Sequence, residues 1–156
     1  LSYQEVLIAL VGDRKQNYPS LRNFAITLGS AVTVILGIIA FTPLANTWFV
    51  DVSGLVNELA DLAYTPLKIM LLLPALSVLL SFQRSTLVVA GNTRPISIAT
   101  GIELVIIVVV LLICIAWFNM IGVIAASIAY IIGKSASNLY LAPIQLRTVR
   151  KWMRRD

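Results

Sequence analysis

Histidine is absent from the 156 residues, and cysteine occurs once, as Cys114. A lone cysteine has no partner for an internal disulfide, and without imidazole the commonest zinc ligand is missing. We therefore expect no metal and no cofactor. The missing histidine also removes every Ser–His and Cys–His nucleophile pair, and no Gly-rich phosphate loop of the P-loop type occurs. No catalytic residue emerges, and the chain is not expected to be an enzyme. Charge is scarce too. Asp, Glu, Lys and Arg make up 12% of the residues, where an ordinary soluble domain carries about a quarter.

What fills the chain is apolar. Hydrophobic residues account for 59%, and the mean hydropathy is +0.92. A chain this short cannot hide so much apolar surface inside itself, so lipid is the expected solvent for much of it. The net charge is +5, which could point to nucleic acid. The cations are divided among three membrane-flanking sites and form no single face, which excludes that partner.

Four apolar stretches are of membrane-spanning length: about 23–42, 62–82, 96–118 and 121–141. They define an all-α integral membrane fold with a four-span region at 23–142. Residues 1–22 precede it as a cytoplasmic or interfacial segment, in which Leu7, Leu10 and Val11 recur at helical spacing before a polar loop from Gly12 to Pro19. Residues 143–156 follow as a basic tail, with Pro143 as the exit. The chain opens on Leu1 with no signal-peptide layout, and we expect it to be part of something longer. Small residues recur on two spans, at Ala25, Gly29, Thr33 and Gly37, and at Gly122, Ala126, Ala129, Gly133 and Ser137. Such seams let helices approach closely. Pro66 and Pro74 in the second span predict a kinked or broken helix. Between the first two spans, Trp48 and Phe49 suit a membrane interface, and Ser53 is placed to cap a short helix.

Ten of the twelve Lys and Arg residues fall on alternate connections. Arg14, Lys15 and Arg22 precede the first span, Arg84 and Arg94 separate the second from the third, and Arg147, Arg150, Lys151, Arg154 and Arg155 follow the fourth. The long connection between the first two spans carries Asp51, Glu58 and Asp61 instead, whose spacing reads as one solvated helix face. This is the positive-inside pattern, and it predicts that both termini are cytoplasmic in a plasma or inner membrane. The tail is expected to attract acidic inner-leaflet lipids.

Three charges remain inside the spans. A charge at mid-bilayer costs at least ~2.5 kcal/mol, so it needs a partner or a water-filled cavity. Glu103 lies seven residues past Ile96, and Lys134 lies seven residues before Leu141. At 1.5 Å per residue both sit ~10 Å from the same face. The turn at Trp117–Met120 makes their helices antiparallel neighbours, which predicts a Glu103–Lys134 pair. That pair is either a structural register bridge or part of a substrate or ion path. Lys68, just past Pro66, either snorkels toward the outer headgroups and Asp61, or faces an anionic substrate beside backbone freed by the proline.

Three stretches carry a family resemblance: FVDVSGLVNELADLAYTPLKIM from Phe49, LVVAGNTRP from Leu87 and GVIAASIA from Gly122. In this order they resemble the C-terminal end of the multidrug/oligosaccharidyl-lipid/polysaccharide flippase superfamily, which includes the MATE multidrug exporters. The TPLKIM stretch looks most like the progressive ankylosis branch, whose members export anionic metabolites. The resemblance runs from about Asp13 to Lys151. It implies a protein of twelve or more spans in two lobes, of which this chain supplies the last four. It also implies a secondary-active exporter or flippase working by alternating access on a small or anionic metabolite, drug or lipid-linked substrate. The expected partners are the bilayer, the remaining helices of the intact transporter, and that substrate. The family's cation-coordinating acids lie largely outside these four spans, so no ion site is carried over. Lys68 alone maps onto a cationic position after the Pro-Leu pair. Outside this family, the composition also fits a small accessory subunit packing its seams against a larger membrane complex. A self-sufficient four-span exporter of the small multidrug type would be expected to carry an acid in its first span, and none is there.

Overall fold

Stretches free of charge and rich in Leu, Ile, Val and Ala satisfy their backbone internally as helices, the only open-ended way to do so in lipid. A computed structural model of the chain describes residues 18–118 and 120–153. The described residues are helical, with no strand among them. Helix α1 spans Tyr18–Phe41, α2 is the single turn Leu44–Asn46, α3 spans Asn57–Ile69, α4 spans Leu73–Val89, α5 spans Arg94–Ala116 and α6 spans Gly122–Met153. Thr47–Val52 continues α2 as a π-helical turn. The segment read as an N-terminal helix and most of the polar loop after it lie outside the described residues.

Three helical stretches are long and apolar enough to cross a membrane: Ser20–Phe41, Asn57–Val89 and Arg94–Ala116. Helix α6 is long, but Lys134, Ser135, Ser137 and Asn138 dilute its apolar run, and it is not among them. In the most apolar part of each of the three, only 17% of residues are buried. Phe24, Ile35, Leu104, Val105 and Leu112 are all exposed. The interior holds mostly small and aliphatic residues, and Gln83, Ser85, Thr86, Glu103, Ser127, Ser137, Asn138 and Gln145 are buried among them. A soluble bundle seldom exposes so many large apolar side chains while burying this many polar ones.

The second predicted span is broken, but not at Pro66, which sits buried inside α3 without ending it. The break is the 3-10 turn Met70–Leu72. Pro74 has no N–H to offer the Met70 carbonyl four residues back. Leu73 takes that carbonyl instead through an i→i−3 bond, which tightens the turn. Beyond the break, α4 runs to Val89, past the loop expected from Gln83, and stops in a Schellman motif. Gly91 adopts φ +71°, its N–H bonds the Val88 carbonyl at 3.0 Å, and the Asn92 N–H bonds the Leu87 carbonyl at 2.9 Å. Ser53 caps nothing. It follows the π-helical turn, and α3 starts after Val56 with no side-chain cap. The connection between α1 and α3 is instead held to α3 by Tyr64, whose hydroxyl donates to Asn46 Oδ1 at 3.3 Å and whose ring meets Phe49 edge-on at 5.6 Å.

Pro143 does not end α6 either. The helix passes through it to Met153, so the basic tail is a continuation of the last helix as far as the described residues run. At a position with one missing N–H, packing on both sides keeps the helix intact: Leu141 and Gln145 are buried while Pro143 faces outward.

Helix α4 lies between α1 and α6, and α6 lies between α4 and α5, with α5 and α6 forming the most extensive helix pair. The seam on α1 is used as expected: a Cβ added to Gly29 would lie 3.4 Å from the Ala75 Cα. The seam on α6 is shifted. Gly122 and Ala126 are exposed, while Ala125, Ala129, Gly133 and Ser137 are buried. The tightest point is Gly133, where an added Cβ would lie 2.5 Å from Ile107 Cγ1 and 3.1 Å from the Glu103 carbonyl oxygen. Gly133→Ala should therefore destabilise the intact protein by about 1–3 kcal/mol through overpacking. Ala126→Leu on the exposed side of the same helix should stay within about 0.5 kcal/mol of the unaltered protein. Reversible unfolding in mixed micelles measures both.

Candidate functional site

Glu103 projects from the middle of α5 into the bundle, with its side chain 11% exposed. Lys134 of α6 reaches it from one side, with Nζ 2.9 Å from Oε1. Arg84 of α4 reaches it from the other, with Nη2 3.4 Å from Oε2. The same Arg84 Nη2 also donates to Thr100 Oγ1 at 3.1 Å, one turn before Glu103. Lys134 Nζ further sits 5.6 Å from the centre of the Tyr130 ring. One carboxylate thus joins three helices and faces two cations, leaving the cluster with an excess of one positive charge.

A polar layer adjoins it. Asn138, one turn beyond Lys134, donates through Nδ2 to the Lys134 carbonyl at 2.9 Å and to the Leu76 carbonyl on α4 at 3.2 Å. Gln83, next to Arg84, donates back to the Asn138 carbonyl at 3.4 Å. Deeper along the same α4–α6 interface, Gln145 donates to Thr86 Oγ1 at 3.5 Å. The small hydroxyls bond their own helices: Ser85 donates to the Ser81 carbonyl, Thr86 to Phe82 and Ser127 to Val123, each at 2.8 Å. Not every buried group is satisfied. Gln83 Oε1, Arg84 Nε, Ser137 Oγ and Asn138 Oδ1 are buried with no hydrogen-bond partner. Buried polar atoms are almost always paired, so four in one layer mark surplus hydrogen-bonding capacity.

Of the residues singled out from sequence, Glu103 and Lys134 are brought together as expected. Lys68 stands apart. It is exposed at the end of α3, with Nζ 5.6 Å above the Phe41 ring and no ion pair to Asp61 among the described residues. Arg84 reads from the sequence as one of the loop cations that orient the chain, and the structure corrects this by setting it inside α4 and in the cluster. The signal that could have found it is Gly91-Asn92, whose cap lets α4 run to Val89, five residues past Arg84. Compared with protein-family models, with curated proteins and with solved structures, the chain matches none. The resemblance to the flippase superfamily therefore rests on the sequence stretches alone.

No group of His, Cys, Asp and Glu among the described residues could hold a metal ion. What the cluster can do is exchange partners. The carboxylate can release one cation while keeping the other, and the surplus positive charge can receive an anion. Removing Glu103 is the costly change, because it strands two cations near each other. Glu103→Gln should destabilise the protein by about 3–5 kcal/mol, whereas Lys134→Met, which leaves the Arg84 pair, should cost roughly half as much. Equal losses in a reversible unfolding assay would show that Arg84 does not share the carboxylate.

Proposed function

We propose that this chain is the C-terminal portion of a secondary-active exporter or flippase that works by alternating access, spanning the membrane four times with both ends cytoplasmic. The observation that carries the reading is the buried Arg84–Glu103–Lys134 cluster inside helices whose outer faces are apolar. Ionisable groups at such depth are costly and mark transport paths. In this reading α6 crosses as the fourth span despite its polar residues, because those residues face the bundle and not lipid.

The broken helix supports the same reading. A discontinuous span with unwound backbone near its middle is how many transporters build a substrate site. Here the break at Met70–Leu72 is followed one turn later by Leu76, whose carbonyl Asn138 engages from α6. The excess positive charge favours an anionic substrate. Such a substrate meets Lys68 first, at the outer end, and then the cluster, where it competes with Glu103 for Lys134 while Arg84 keeps the carboxylate in place. The unpaired Gln83, Ser137 and Asn138 atoms lie along that route and supply polar contacts.

The experiment is uptake by proteoliposomes carrying the intact protein. Lys134→Met and Glu103→Gln should each lower transport at least tenfold in protein that still elutes as a folded species. Transport that survives both changes, singly and together, would reduce the pair to a structural bridge and end the proposal. Lys68→Ala should raise the KM for an anionic substrate by up to about fivefold and leave kcat in place, as expected of an exposed charge. A lost kcat would put Lys68 in the path and not at its mouth.

A further inference from the structure

Helices α1 and α6 both lean on α4 and make few contacts with each other. Between them runs a groove of about 640 Å³. Its floor is made of small residues, Ala25 and Gly29 from α1 and Ala75 from α4, and its walls include Leu79 and Leu146. At Gly29 the α1 backbone packs closely on α4, where an added Cβ would lie 3.4 Å from the Ala75 Cα. Arg22, from the first turns of α1, and Arg150, from the last turn of α6, line the same groove at one end of the bundle. Both are exposed, and neither has an ion-pair partner among the described residues.

The geometry points to a binding site for one anionic phospholipid, with its phosphate between Arg22 and Arg150 and an acyl chain along the groove floor. From Arg22 to Ser30 the lining descends two helical turns, ~12 Å at 1.5 Å per residue. That places cations at headgroup level and apolar walls at acyl-chain level. The charge decides the occupant. A neutral lipid leaves two unpaired guanidinium groups at the mouth, and a soluble anion makes no use of the apolar floor. Guanidinium binds phosphate through paired N–H donors, which suits a headgroup phosphodiester. The site is separate from the Glu103 cluster and does not depend on the transport reading.

The test is native mass spectrometry of the intact protein with added phosphatidylglycerol or phosphatidylcholine. One phosphatidylglycerol should be retained in preference to phosphatidylcholine. The double change Arg22→Gln and Arg150→Gln should weaken that binding about thirtyfold, taking two juxtamembrane cations at their usual worth. Ser30→Trp, which fills the groove and keeps both charges, should weaken it too. Arg147→Gln with Lys151→Gln, exposed cations outside the groove, should change it less than about twofold. Equal retention of the two lipids overturns the site. So does an equal loss in the Arg147 and Lys151 variant, which would mean diffuse attraction to the basic end. Indifference to both groove variants also overturns it, and is the result expected if another helix of the intact protein fills the groove.

Discussion

Three helices of this bundle meet at one carboxylate. Glu103 accepts from Lys134 on α6 and from Arg84 on α4, and the surrounding packing is arranged so that it can. The short Glu103–Lys134 contact needs α5 and α6 to approach closely, and Gly133, one residue before Lys134, is where they do: its missing side chain leaves room for Ile107 and for the Glu103 backbone itself. Arg84 can reach across only because α4 stays helical beyond Gln83, which keeps its side chain directed into the bundle and not into a connecting loop. A like-charge pair at this depth would be untenable without the acid between them. The carboxylate is therefore the condition for both half-buried cations lying so close together.

The distribution of polarity follows from the same constraint. Large apolar side chains cover the outside, and eight polar or charged residues are buried within, among small and aliphatic ones. In lipid there is no hydrophobic gain from hiding leucine, so close packing of small residues and hydrogen bonds between helices hold such a bundle together. The Gly29–Ala75 approach does this for α1 and α4, and Asn138 and Gln83 do it for α4 and α6. The proline-induced break at Met70–Leu72 gives α4 its own start, independent of α3. The groove between α1 and α6 arises from the same small residues that bring α1 down onto α4.

Much of this was legible in the chain. Helical rise alone set Glu103 and Lys134 at one depth, because both lie the same number of residues from the same face and the turn between their helices is short. The broken second span was legible from its prolines, and the close face of α1 from its four-residue spacing of small side chains. Other features were not. Proline predicts a kink or break at Pro66 and an exit at Pro143, but a missing N–H removes one hydrogen bond, and neighbouring packing carries the helix through. Residue type alone makes Arg84 read as a loop charge, because its surroundings are not visible in the sequence. On α6 the seam holds at Ala129, Gly133 and Ser137 and departs only at its start, since Gly122 and Ala126 share a face with Ala129 only approximately at 3.6 residues per turn.

By itself, then, the sequence determined the helical class, three apolar stretches of spanning length, the broken second helix and the matched positions of Glu103 and Lys134, because all of these depend on composition and on distance along one helix. The tertiary structure decided which face of each helix turns inward, that Arg84 joins the acid and Lys68 does not, and that a groove lined by Arg22 and Arg150, neither ion-paired among the described residues, lies between α1 and α6. These depend on how helices distant in sequence rotate against one another, and that rotation is set by close contacts such as Gly133 on Ile107, which no single helix contains.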